Sequence, residues 1–139
     1  MIQIYTTPSC ASCRKAKKWF DQYKIPYSEK NIFSFKLSKE DIFRMLANSE
    51  NGFDDIISTR SKVFKEKKLD PDNMSVQELI EFIIDYPSVL KRPIIINENE
   101  LQVGYNNEDI TIFLPKELRN LDSFSDFDAE PINVKYSKK

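Results

Sequence analysis

The chain predicts an α/β fold in which helices cover a small mixed sheet of four strands. Three observations carry that prediction. Met1-Ile2-Gln3-Ile4-Tyr5 alternates and carries branched and aromatic side chains, the pattern of a short strand. Directly afterwards Cys13, Ala16, Trp19, Phe20 and Tyr23 recur at helical spacing, with Lys15, Lys17, Lys18, Asp21 and Gln22 between them. Far along the chain, Arg92-Pro93-Ile94-Ile95-Ile96-Asn97 reads as a further strand, with Leu101-Gln102-Val103 as its hairpin partner across Glu98-Asn99-Glu100.

Between these landmarks the elements follow in order. Lys24-Ile25-Pro26 stops the first helix, and Tyr27 to Ile32 reads as the second strand, so strand, helix and strand make a unit that favours a parallel crossover. The stretch from 33 to 90 then changes to helical character. Ser38 with Asp41, and Ser75 with Glu78, are capping boxes, each leading an apolar stripe. The first carries Ile42, Phe43 and Leu46; the second carries Leu79, Ile80, Phe82, Ile83 and Ile84, expected to be mostly buried. Gly52 breaks the first of these helices, Asp54 to Ile57 forms one further turn, and Ser61 to Lys68 a short helix. After Gly104, Asn107 is placed to cap a last helix containing Ile110, Ile112, Phe113 and Leu114, stopped at Pro115. The organisation expected is one domain over residues 1–119, with a frame at 1–32 and 91–115, a helical insertion at 33–90, and an acidic, polar and mobile tail at 120–139.

A chain of 139 residues with 40% hydrophobic and 31% charged side chains suits one soluble domain with a real core. No stretch has the uncharged apolar length of a membrane span, and the start lacks a signal-peptide pattern, so a cytoplasmic protein without membrane contact is expected. The net charge of −1 is unevenly spread: residues 1–30 carry +4, residues 31–90 carry −3 and residues 91–139 carry −2. Arg60, Lys62, Lys65, Lys67 and Lys68 form a basic cluster opposed only by Glu66. Such a cluster is commonly a solvated helix face, and the overall balance argues against a free-standing DNA-binding protein. With two glycines in the chain there is no glycine-rich phosphate loop.

The chemistry is concentrated in Cys10-Ala11-Ser12-Cys13, where a strand hands over to a helix. Unpaired N–H groups and the positive end of the dipole lie at a helix's first turn and stabilise a thiolate, and Arg14 and Lys15 add positive charge. Cys10 is therefore expected to be the more acidic, exposed and reactive thiol, with Cys13 one turn on and facing inward as its resolving partner. That spacing closes a disulfide with little backbone movement. Zinc is excluded as a tetrahedral structural site, because the chain has no histidine and no third cysteine; no metal or cofactor is expected. The rival reading is two unrelated buried cysteines. A C-x-x-C at a strand-to-helix turn in a chain of this composition favours a reversible redox centre.

Strand, C-x-x-C helix, strand, helical insertion and a proline-led hairpin describe a thioredoxin-like arrangement. In that fold a cis proline begins the third strand beside the cysteine pair, and Pro93 stands there, so a cis Arg92–Pro93 bond is expected, with an ordinary trans proline as the alternative. Arg92 would then lie near Cys10, where a guanidinium stabilises a thiolate or an oxyanion.

The segments Thr7-Pro8-Ser9-Cys10-Ala11-Ser12-Cys13-Arg14-Lys15-Ala16, Asp55 to Phe64, Arg92-Pro93-Ile94-Ile95-Ile96 and Leu101 to Asn106 resemble those of the Spx regulators of Gram-positive bacteria, within the arsenate reductase-like (ArsC) family. The resemblance covers roughly residues 1–119. It implies a redox-responsive transcriptional regulator that binds the C-terminal domain of the RNA polymerase α subunit, with promoter DNA met only within the polymerase complex. Gly52 matches the glycine needed for the α-subunit contact, the Cys10–Cys13 disulfide is the switch for thiol-stress genes, and Arg92 matches the arginine that reads its state. Arg60 matches an arginine that binds the oxyanion in the reductases of the family, and Lys62 in the basic cluster is a candidate DNA contact. The enzyme reading is the minor one: the third arginine of a reductase site is replaced by Tyr105-Asn106-Asn107, and Cys13 offers an intramolecular trap that competes with reaction at arsenic. A general thiol–disulfide oxidoreductase is the remaining alternative. Spx proteins are degraded by the ClpXP protease through an apolar C-terminal end, whereas this chain ends Tyr136-Ser137-Lys138-Lys139, which departs from that pattern.

Overall fold

The computed structural model describes residues 1–115. Two parallel strands, β1 (Ile2–Thr6) and β2 (Tyr27–Asn31), flank α1 (Ala11–Gln22), and an antiparallel hairpin of β3 (Ile94–Ile96) and β4 (Leu101–Val103) completes a mixed sheet in the order β2-β1-β3-β4. Between β2 and β3 lie α2 (Lys39–Ala47), α3 (Phe53–Ile56), α4 (Lys62–Glu66) and α5 (Val76–Asp85), with 3₁₀ turns at Pro71–Asn73 and Pro87–Val89. The tail expected at 120–139, its C-terminal end included, lies outside the described residues.

Period-two alternation in β1 and β3 divides the core into two layers. Ile4 and its cross-strand partner Ile95 face α1 and pack with Ala16, Trp19, Phe20, Ile110 and Phe113. Tyr5, Ile94 and Ile96 face the other way, toward Ile42, Met45, Ile56, Ile80, Ile83 and Leu90. All three isoleucines of β3 are buried, as a strand covered on both faces requires, and each contributes about 1.5–3 kcal/mol of apolar burial.

Helix boundaries follow local chemistry. Both capping boxes form: Ser38 and Ser75 accept from the amides of Asp41 and Glu78, whose carboxylates accept in return from the serine amides. Helix α1 ends where Lys24 takes a left-handed conformation (φ 57°), with Ile25 N–H donating to the Phe20 carbonyl at 2.9 Å. On α5, Leu79, Ile80 and Ile83 are buried, while Phe82 and Ile84 are only half-buried because they flank the stripe. The last helix differs from expectation. Asn107 does not cap it; Asn106 Oδ1 instead accepts from the Glu108 and Asp109 amides at 2.8 and 3.0 Å in the turn leading in, and the segment that follows is a 3₁₀ turn at Asp109–Phe113 whose N-cap position is Glu108. Ile110 and Phe113, three apart, still reach one core layer, since a 3₁₀ repeat puts positions three apart in register.

One polar link ties the sheet to the helical segment. Tyr5 Oη donates to Asp41 Oδ1 at 2.9 Å, and Arg44 Nη2 reaches the same oxygen at 3.0 Å. Burial, then the neighbouring Asp41 carboxylate, pushes the Tyr5 phenol above its ordinary range. Burial also works against ionisation of Asp41, but hydrogen bonds from Ser38 and Tyr5 and the Lys30 charge outweigh it and hold the carboxyl below its usual value.

Candidate functional site

Strand β1 delivers the chain to a turn, Thr7-Pro8-Ser9, in which Ser9 is left-handed (φ 64°), and Cys10 follows as the N-cap of α1. Its sulfur replaces the oxygen of a usual cap: Cys10 Sγ accepts from Cys13 N–H at 3.1 Å. Both cysteines are free thiols here, Cys10 half-buried and Cys13 only 2% exposed. Burial, followed by the hydrogen bond to Cys10, pushes the Cys13 thiol up to about 12, against a smaller opposing pull from Thr7 and Arg92. Cys13 is therefore a neutral thiol that meets the more accessible sulfur one turn away.

Cys10 opens on a cleft of about 540 Å³ lined by Thr7, Ser58, Arg60, Ser88, Lys91 and Arg92 among others. Arg60 is exposed and has no hydrogen-bond or ion-pair partner among the described residues. Arg92, half-buried, gives Nη1 to the carbonyls of Ser88 and Leu90, both at 3.2 Å, which fixes its side chain beside the thiols. The Arg92–Pro93 peptide bond is cis. On its far side Cys10 also borders a smaller cleft of about 260 Å³ shared with Cys13, Arg14, Lys17 and Glu29.

The structure thus brings Cys10, Cys13, Arg60 and Arg92 together, with Pro93 at the base of the arginine. Gly52 stands apart. It precedes α3 with φ 64° and ψ −132°, a region essentially reserved for glycine, and its N–H donates to Ser49 Oγ at 3.1 Å. Lys62 begins α4, next to the cleft that Arg60 and Ser61 line, and is exposed with an i, i+4 pair to Glu66 at 3.7 Å. Where a third arginine would stand, Asn106 is engaged by the amides of Glu108 and Asp109 and Tyr105 is half-buried. Lys91 was not singled out from sequence, yet it lines the thiol cleft and its Nζ donates to the Asp54 carbonyl at 3.3 Å. Its place directly before Arg92 was the available signal. Among the described residues no three acidic or cysteine side chains gather to hold a metal ion, and no helix is long and apolar enough to cross a membrane.

Comparison with known proteins identifies the family. The model of the ArsC family matches residues 5–113. The global transcriptional regulator Spx 1 of Bacillus cereus is 50% identical over 119 residues, covering 86% of this chain and 91% of that protein. The global transcriptional regulator Spx of Bacillus subtilis is 48% identical over 120 residues, covering 86% and 92%. An arsenate reductase structure from Vibrio cholerae superposes with a TM-score of 0.70 over 81% of this chain and 97% of that one, at 20% identity, a likeness of fold. The chain belongs to the ArsC family and, within it, to the Spx global transcriptional regulators.

Proposed function

We propose that this regulator acts by docking on the C-terminal domain of the RNA polymerase α subunit, and that the Cys10–Cys13 pair tunes the docking. The observation that supports the reading most is the 3.1 Å bond from Cys13 N–H to Cys10 Sγ, which makes the reactive sulfur part of the cap of α1. A hydroperoxide transfers OH to Cys10 sulfur and leaves as hydroxide or alkoxide; Cys13 then attacks that sulfur, and water departs with the thiol proton. Cys13, buried one turn away with its amide already on the Cys10 sulfur, is placed to make that attack. The disulfide turns the capping sulfur into a weaker acceptor for the Cys13 amide and changes what Arg92 faces. A coupling of one to three kcal/mol between that event and the docking surface is sufficient for regulation.

Gly52 is assigned to the α-subunit contact, and Lys62, exposed at the start of α4, to promoter phosphate once polymerase has positioned the protein. Action on polymerase places the protein in the cytoplasm. The enzyme reading is disfavoured because, among the described residues, the cleft offers Arg60 and Arg92 but no third guanidinium, Asn106 being engaged by the amides of Glu108 and Asp109. The test is oxidant-dependent binding to the isolated α domain with Cys10→Ala: the response disappears if the pair is the switch, and unchanged dependence removes the switch from the account. Lys62→Glu is expected to lower promoter occupancy only in the ternary complex with polymerase.

A further inference from the structure

Among the described residues the sheet order leaves β4 as an edge, and the ladder phase settles which of its backbone groups face outward. Gly104 N–H donates to the Pro93 carbonyl at 2.8 Å and Asn97 N–H to the Glu100 carbonyl at 3.1 Å, while Gln102 stands opposite Ile95. Inward bonds therefore alternate at Glu100, Gln102 and Gly104. The N–H and C=O groups of Leu101 and Val103 point away from the sheet.

Those groups border a groove of about 560 Å³ whose charged lining, among the described residues, is Glu50, Asp55, Glu100 and Asp109 against a single cation, Lys91. None of the four carboxylates has an ion pair within 4.0 Å among the described residues, and they do not converge on a metal-sized site. Dispersed acids along a strand edge match dispersed cations on a chain, not one ion. A second observation is independent of the charges: Gln102, 8% exposed and bordering the same groove, has its Oε1 buried with no donor among the described residues. A buried acceptor is ordinarily paired, and an incoming N–H or ammonium would supply the partner that this one lacks.

We propose that this groove receives an extended, basic segment of a partner polypeptide, which adds as a strand to β4 and sets lysine or arginine side chains against Glu50, Glu100 and Asp109. Main-chain pairing with Leu101 and Val103 supplies affinity and the carboxylates supply selectivity. The groove begins at Asn48 and Ser49, beside the Gly52 loop, but the proposal does not depend on the cysteine switch.

The probe is a short capped peptide alternating lysine and valine, added to the full-length reduced protein, with a glutamate–valine peptide as control. Amide resonances of Leu101 and Val103 are expected to shift and their hydrogen exchange to slow with the basic peptide alone. Glu100→Lys with Asp109→Lys is expected to weaken binding roughly tenfold or more. Val103→Pro, which deletes one outward N–H, is expected to abolish it. The proposal is overturned if the basic peptide leaves both amides unchanged, or if charge reversal at Glu100 and Asp109 leaves its affinity intact. It is also overturned if those amides are already protected in a concentration-dependent dimer, which would give the groove to a second copy of the chain.

Discussion

Cys10 and Cys13 are joined before any disulfide forms, because the amide of the second donates to the sulfur of the first at 3.1 Å. One residue is at once the more accessible thiol and the cap of its helix, so a change in its bonding reaches α1 directly.

Replacing that sulfur by nothing should loosen the helix start. Cys10→Ala is expected to destabilise the reduced protein by about 1 kcal/mol in urea unfolding, and Cys10→Ser, whose oxygen can cap, by less. Equal stabilities for all three proteins would deny the sulfur its capping role.

The buried thiol sets a pH dependence. Cys13 ionises at about 12 in the folded chain against an ordinary value of 9.0, so folding favours its protonated form. Its contribution is complete below pH 9.0 and is lost as pH rises through about 12. The difference in unfolding free energy between the reduced protein and Cys13→Ser should stay constant up to that lower limit and decline above it; denaturation at a series of alkaline pH values measures this.

Asp41 gives the opposite sign. Its folded-state carboxyl is held below the ordinary 3.8, so its stabilisation is present above that pH and is lost as pH falls through the lowered value. Asp41→Asn removes the charge that Arg44 meets at 3.0 Å and one acceptor of the capping box, and should cost about 3 kcal/mol at neutral pH. The gap to the parent protein should close as the solution is acidified below the ordinary carboxylate range.

Much of this was legible in the sequence wherever a local rule governs. The strand of Ile94 to Ile96, the two serine capping boxes and the C-x-x-C turn rest on neighbours in the chain, and the structure forms them there. What escaped depends on distance along the chain or on a choice between adjacent residues. Tyr5 and Asp41 are 36 positions apart and carry no joint signal. Asn106 and Asn107 are chemically equal as acceptors, and the turn after Gly104 puts Asn106 on the amides of Glu108 and Asp109. The groove along β4 becomes visible only when the hairpin's register shows which backbone groups face out.

Gly52 separates backbone from bulk. A methyl group added there would meet nothing within 4 Å, so Gly52→Ala acts through the φ of 64° alone and should cost about 1–3 kcal/mol, localised to the loop before α3. If this loop carries the docking surface, binding of the α-subunit domain should weaken more than global stability does, a comparison that titration and thermal unfolding of the same variant provide.

The most direct measurement is the affinity of the full chain for the C-terminal domain of the polymerase α subunit, taken once with excess reductant and once after oxidation of the thiols. The account predicts binding in both conditions, tighter by about fivefold or more when oxidised. An absence of binding in either state, or equal affinity in the two, would contradict it.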